Sequence, residues 1–183
     1  VEYARATYGV QVTLEVAERL REIWFSVYPE MRDYFRFVET QLVDPSGTPN
    51  RHAYLSPMGM LRTGCSFTAA SNGFGMQTPA AEGAQLALFE VARACYGAAG
   101  GGALAGCRPI IFAHDQIIME VPADVDAANA AAAQLEDLMV SSMRHVLPDI
   151  PAKVESALME RWYKQAKPIK DEQGRLIPWR PKQ

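Results

Sequence analysis

The chain has 183 residues, 49% of them hydrophobic and 21% charged, with a formal net charge of −3. That is apolar sequence enough for one packed domain or about half of a larger one, and the charge offers no global basic field from which to argue nucleic-acid binding. Three cysteines (Cys65, Cys95, Cys107), odd in number and without CxxC spacing, argue against a disulfide framework or zinc site and fit reduced thiols in a cytoplasm; there is no signal-peptide pattern, and no run reaches the ~20 apolar residues of a membrane span.

Residues Val1 to Tyr8 read as the tail of a helix stopped at Gly9, so the chain is expected to be a piece of something longer, with exposed apolar area near Val1. Thr13 is a good N-cap, and Val16, Leu20, Ile23, Trp24 and Val27 recur at helical spacing until Pro29. A second amphipathic helix carries Met31, Tyr34, Phe35, Val38 and Leu42 and ends in the turn-rich run from Asp44 to Asn50. His52 to Cys65 alternates weakly and predicts a short hairpin. From Phe67 to Tyr96 the pattern is helical, interrupted near Asn72-Gly73-Phe74-Gly75 and restarted at Pro79. Beyond the restart, Ala80, Ala84, Ala87, Leu88 and Val91 form a small-residue face suited to packing on a sheet. Gly97 to Gly106 reads as a flexible surface loop.

Arg108 to Pro122 reads RPIIFAHDQIIMEVP. Two β-branched, aromatic-containing runs flank His114, Asp115 and Gln116, which predicts a hairpin whose polar tip has no Gly or Asn to ease the turn. An acidic group at the end of a buried hairpin costs desolvation energy unless a cation or hydrogen bonds offset it, and a divalent metal does so naturally. Next, Asp124 to Leu147 predicts an Ala-rich helix with Leu135, Leu138, Met139 and Met143 on its buried side. Lys153 to Lys164 reads as a last strand or short helix, followed by a polar tail, with no internal repeat and no second domain.

In this order of elements the chain resembles the C-terminal portion of family A (Pol I-type) DNA polymerases, the phage-encoded branch most of all. Phe112-Ala113-His114-Asp115-Gln116-Ile117-Ile118 is similar to the family's motif C, an apolar strand leading to His-Asp-Glu and a second strand leading away. Met76-Gln77-Thr78-Pro79-Ala80-Ala81-Glu82-Gly83-Ala84 is similar to its Asn-x-Pro-x-Gln-Gly-x-Ala-Ala-Asp helix. Leu61-Arg62-Thr63-Gly64-Cys65-Ser66-Phe67-Thr68 and the ending Trp162-Tyr163-Lys164 with Gly174-Arg175-Leu176-Ile177-Pro178-Trp179 add to the resemblance.

The resemblance implies nucleotidyl transfer from a dNTP to a primer 3′-hydroxyl assisted by two Mg²⁺ ions. Asp115 would be a metal ligand, with His114 near the primer terminus and Gln116 beside it as catalytic-site residues. Gln77 would contact the minor groove of the new base pair, where acceptors are nearly the same for all correct pairs, and Arg62 a phosphate or the template. The departures are specific. Gln116 stands where motif C ends in Glu, Thr78 and Glu82 replace Gly and Asp, and Asn72 lies five residues before Gln77 where the family has four, an insertion expected to bulge the helix start. The family's first catalytic Asp strand and its nucleotide-binding helix are absent; Asp33 sits in an amphipathic helix and does not substitute.

The expected fold is α+β: a small antiparallel sheet with the motif C-like hairpin packed against several helices, residues 1–183 forming an incomplete palm domain. The expected function is template-directed DNA synthesis in a cytoplasm, on primer-template DNA and dNTP, with an N-terminal part of the same polymerase supplying the other carboxylate; the isolated chain is expected to be inactive. The rival class is a non-catalytic, polymerase-derived DNA-binding or scaffold module; a weaker third is an unrelated metal-binding α+β domain sharing an HD hairpin by chance. Taken without its flanks, Asp115 is an ordinary acidic turn residue, His114 a backbone hydrogen-bonder, and Gln77 a helix cap. Glu82 and Gln85 read as solvated or capping residues, His52 and His145 as surface residues, and Trp24, Trp162 and Tyr163 as core or domain-contact residues.

Overall fold

The computed structural model describes residues 2–97 and 102–181. They fall into two compact units, residues 1–55 with 60–74 and residues 56–59 with 75–183. The expectations for Val1, for residues 98–101 of the Gly/Ala loop and for the last two residues of the tail lie outside the described residues.

In the first unit, α1 (Glu2–Tyr8) stops at Gly9, whose φ of +67° is the left-handed geometry glycine tolerates. The Thr13 hydroxyl accepts from Val16 N–H at 3.3 Å and opens α2 (Leu14–Val27); Pro29 separates it from α3 (Glu30–Gln41). Phe25 is buried between the Arg21 and Arg32 guanidiniums, 5.4 and 4.3 Å from its ring centre. Strands β1 (His52–Leu55) and β2 (Leu61–Cys65) pair antiparallel, and Val38, Leu42, Tyr54 and Ala70 form the core. Asp44, itself buried, accepts from Ser46 N–H at 2.9 Å and Gly64 N–H at 2.6 Å, and so ties the turn after α3 to β2.

The stretch from Phe67 to Tyr96 is helical throughout: α4 (Phe67–Asn72), a π-helical turn at Gly73–Gln77, and α5 (Thr78–Tyr96). The expected interruption is therefore a widened turn, which absorbs one extra residue without ending the helix.

In the second unit, α5 packs on α6 (Val125–Val146), which is capped by Asp124 accepting from Ala127 N–H at 2.8 Å. The packing face of α5 differs from the expected one. Of the expected positions Ala87 and Val91 are buried and Ala84 and Leu88 half-buried, but Ala80 is exposed, Glu82, Gly83 and Cys95 are buried as well, and the principal partner is a helix. On α6 the buried positions are Ala128, Ala131, Ala132, Ser142 and Val146, with Leu135 and Leu138 half-buried beside the core. Small residues on both sides allow close approach: a Cβ on Gly83 would stand 2.7 Å from the Met143 sulfur. Residues 102–106 are not a loose surface loop, because Leu104 is fully buried and its N–H donates to Gln134 Oε1 at 3.0 Å.

Strands β3 (Arg108–Ala113) and β4 (Gln116–Glu120) make a second hairpin, bulged between Pro109 and Ile111, where proline offers no N–H to the ladder. Residues 153–164 form neither strand nor helix beyond one bridge between Met159 and Trp179. The tail instead makes a third hairpin, β5 (Ile169–Lys170) with β6 (Leu176–Ile177). Among the described residues the sheet component is thus three separate two-stranded hairpins. Asn129 of α6 acts as a substitute strand edge for the last of them: its amide donates to Leu176 C=O at 2.9 Å and accepts from Leu176 N–H at 2.7 Å. No described helix is long and apolar enough to cross a membrane.

Candidate functional site

The β3–β4 hairpin turns over two residues. Ala113 pairs with Gln116, leaving His114 and Asp115 as the loop. His114 takes φ +57°, and Asp115 does not share the positive φ. Turns with one positive φ at the first loop position ordinarily use glycine there. Histidine visits this region more readily than most residues, yet holding it there costs roughly 1–3 kcal/mol. The tip is therefore strained, and the strain is held by the ladder on either side.

The hairpin is not buried as expected. Ile117 and Met119 pack on the core formed by Val91, Cys95, Leu104, Cys107 and Ala131. The cross-strand pair Ile111 and Ile118 lies on the opposite face, and Ile110 and Ile111 are about half exposed, at 54% and 44%. His114, Asp115 and Gln116 are all exposed. The desolvation argument for a cation at Asp115 therefore does not hold within this chain. What the fold offers is a carboxylate with its lone pairs free: none of the three side chains makes a hydrogen bond or ion pair among the described residues. The nearest salt bridge on the hairpin, Arg108 to Glu120 at 3.5 Å, is at the opposite end of the strands.

Gln77 ends the π turn and stands at the N-cap position of α5, where its side chain makes no capping bond. It is exposed with its amide free, so the capping alternative does not apply. Asn72 closes α4 just before the widened turn. Arg62 lies on β2 in the first unit, exposed and without an ion pair among the described residues. The structure thus brings His114 and Asp115 together on one turn with Gln116 next to them at the start of β4, and places Gln77 in the same unit and Arg62 in the other.

The donor set sets a limit on metal binding. Mg²⁺ takes oxygen ligands in octahedral geometry, and an exposed carboxylate on a stiff tip suits it as one of them. Among the described residues no three of His, Cys, Asp or Glu gather into a cluster. Asp115 fits as a contributor to a metal site, and these residues do not make a whole one.

Two polar residues read as solvent-facing from the sequence are buried. Glu82 is 4% exposed; one carboxylate oxygen accepts from the Ser56 hydroxyl and the other from Met58 N–H at 3.3 Å. His52 is 6% exposed, edge-on to Phe67, with its Nδ1 unpartnered. In contrast, Trp162 is 54% exposed and Tyr163 46%, so neither is a core residue. His145 and Gln85 are exposed as expected.

No family model matches the chain, and no solved structure matches it. A DNA polymerase I of Aquifex aeolicus (strain VF5) is 28% identical over 165 residues, covering 89% of this chain and 26% of that protein. The similarity supports a relationship to DNA polymerases, and the chain spans about a quarter of that relative's length.

Proposed function

We propose that this chain is the C-terminal palm portion of a family A DNA polymerase of the phage-like branch, and that it takes part in template-directed nucleotidyl transfer from dNTP to a primer 3′-hydroxyl. The observation that carries the reading is the two-residue His114-Asp115 tip, strained at His114 and presenting a free carboxylate. The similarity to a DNA polymerase I along 89% of the chain supports it.

Asp115 would be one carboxylate ligand of a Mg²⁺ site whose other carboxylate comes from an N-terminal part of the polymerase. Bound there, Mg²⁺ would lower the pKa of the attacking hydroxyl and neutralise charge on the phosphoryl group. The chain's own residues contribute position. The ladder from Arg108–Glu120 to Ala113–Gln116 fixes the carboxylate, and phosphoryl transfer gains chiefly from such fixed electrostatics. His114 is held beside Asp115 with its ring free to meet the primer terminus. Gln116, uncharged, accepts or donates a hydrogen bond there and adds nothing to the metal's charge balance. Gln77 presents an amide donor to minor-groove acceptors, and Arg62 a cation to phosphate. A cytoplasmic location goes with this reading.

The test is primer extension by the complete enzyme. Asp115→Asn is expected to slow extension roughly a thousandfold, about 4 kcal/mol of transition-state stabilisation, and Gln116→Ala less than about tenfold. Equal losses would overturn the roles assigned. A non-catalytic, DNA-binding or scaffold module is the second reading, favoured by Gln116 in place of a carboxylate and by the lack of a clustered donor set among the described residues. Binding of primer-template DNA without any extension by the wild-type complete protein would establish it.

A further inference from the structure

The chain's charge is unevenly placed. Residues 1–150 hold ten Lys and Arg against seventeen Asp and Glu, and residues 151–183 hold eight against four. An acidic body therefore ends in a segment of net charge +4. Within it, the ten residues from Arg161 to Lys170 read RWYKQAKPIK: four cations at intervals of three, and no carboxylate.

The pairing of these cations sets them apart from their neighbours. Arg175 is held by Asp171 at 2.9 Å and Asp126 at 3.0 Å, and Arg180 by Glu160 at 2.6 Å. Arg161, Lys164, Lys167 and Lys170 are exposed and have no ion pair among the described residues. Aromatic surface lies in the same stretch. Tyr163 stacks on Trp179 with ring centres 4.9 Å apart and planes 9° from parallel, and Trp162 beside it is 54% exposed with no ring partner among the described residues. The segment is not loose. Trp179 N–H donates to Leu158 C=O at 2.7 Å, Ser156 N–H to Glu136 Oε1 at 2.8 Å, and Asn129 holds Leu176 from both sides.

We propose that Arg161 to Lys170, with Trp162 and the Tyr163–Trp179 stack, form a binding surface for single-stranded nucleic acid. Unpaired cations in a row meet successive phosphates, and exposed aromatic faces stack on unpaired bases without regard to sequence. An acidic peptide would use the cations but leave the ring faces without a role, and a duplex keeps its bases away from them. The choice of DNA over RNA rests on the polymerase reading. The surface itself does not, since its residues are not those of the Asp115 tip.

The experiment is fluorescence anisotropy of a labelled sixteen-residue oligothymidine titrated with the 183-residue chain across a salt series. Lys164→Glu/Lys167→Glu/Lys170→Glu is expected to weaken binding at least about tenfold and to lower the salt slope by about 2, the value for three phosphate contacts on a single strand. Trp162→Ala is expected to weaken binding roughly tenfold and to reduce the quenching of tryptophan emission, leaving the part due to Trp179. Far-UV circular dichroism checks that these exposed substitutions leave the fold intact. Affinity and slope unchanged in the triple variant would overturn the proposal. So would equally effective competition by polyglutamate of the same length, or equally tight binding of a blunt duplex. The titration reads binding and not extension, so failure of the catalytic reading, seen in primer extension, and failure of this one give different results.

Discussion

Replacing Glu82 tests how the second unit is held together. Its carboxylate is 4% exposed and accepts from the Ser56 hydroxyl and from Met58 N–H at 3.3 Å. Glu82→Ala removes the charged acceptor of two donors. A hydrogen bond to a charged partner contributes about 1.5–3 kcal/mol, so the pair is worth roughly 3–6 kcal/mol. That is a large share of the roughly 5–15 kcal/mol by which domains are stable. For a chain of this size it corresponds to a fall in melting temperature of about 10 °C. Glu82→Gln keeps one acceptor but turns an amide donor toward the other partner, and should cost about half as much. Thermal melting followed by circular dichroism measures both, and hydrogen exchange at the Met58 amide reports the local effect. An Ala variant that melts within about 2 °C of wild type, with Met58 still protected, would show that the Glu82 bonds do not hold this unit.

Asn129→Ala removes both bonds to the Leu176 backbone and is expected to cost about 2 kcal/mol. Limited trypsin digestion should then cut faster at Lys170 and Arg175. Hydrogen bonds from Ser46, side chain and backbone, and from Gly64 N–H hold the Asp44 carboxyl below its usual range. The ionised form is therefore favoured by folding: its stabilisation is complete above the ordinary carboxylate pKa of about 3.9 and fades as pH falls below it. Urea midpoints of wild type and Asp44→Asn should differ at neutral pH and converge at the acid end. Burial, with Cys107 close by, pushes the Cys95 thiol up, and burial does the same to Cys107. A disulfide reagent should accordingly react promptly with Cys65 alone in the folded chain and with all three thiols in urea.

Elements set by local chemistry were legible in the residues. Thr13 and Asp124 cap helices where their hydroxyl and carboxylate precede apolar periodicity, and Gly9 ends one by its positive φ. The one-residue insertion between Asn72 and Gln77, implied by the resemblance to the polymerase motif and not by local chemistry, announced a distortion, and a π turn stands there. The hairpin followed from apolar runs on either side of His114, Asp115 and Gln116, but its tip is two residues and not three, because Gln116 pairs with Ala113 and opens β4. Whatever depended on tertiary partners was not legible. Alternation and β-branching cannot tell a hairpin buried on both faces from one packed on a single face, and β3–β4 is the latter. Glu82 read as a solvent-facing acid because its partners lie more than twenty residues earlier in the chain. Leu104 is one large apolar residue in a Gly/Ala run, and that contrast was a signal of burial that composition alone obscured. Asn129, a weak helix former amid alanines, was another such signal: its place in α6 is explained by the backbone it binds.

The most direct test of the central claim is the position of the metal. Crystals of the complete enzyme with primer-template DNA and dNTP, grown with Mn²⁺ in place of Mg²⁺, would show the ion by its anomalous scattering. If Asp115 is a metal ligand, a peak lies within about 2.2 Å of one of its carboxylate oxygens, the distance of a direct hard-cation ligand. Metal peaks near the triphosphate with both Asp115 oxygens beyond about 4 Å would contradict it.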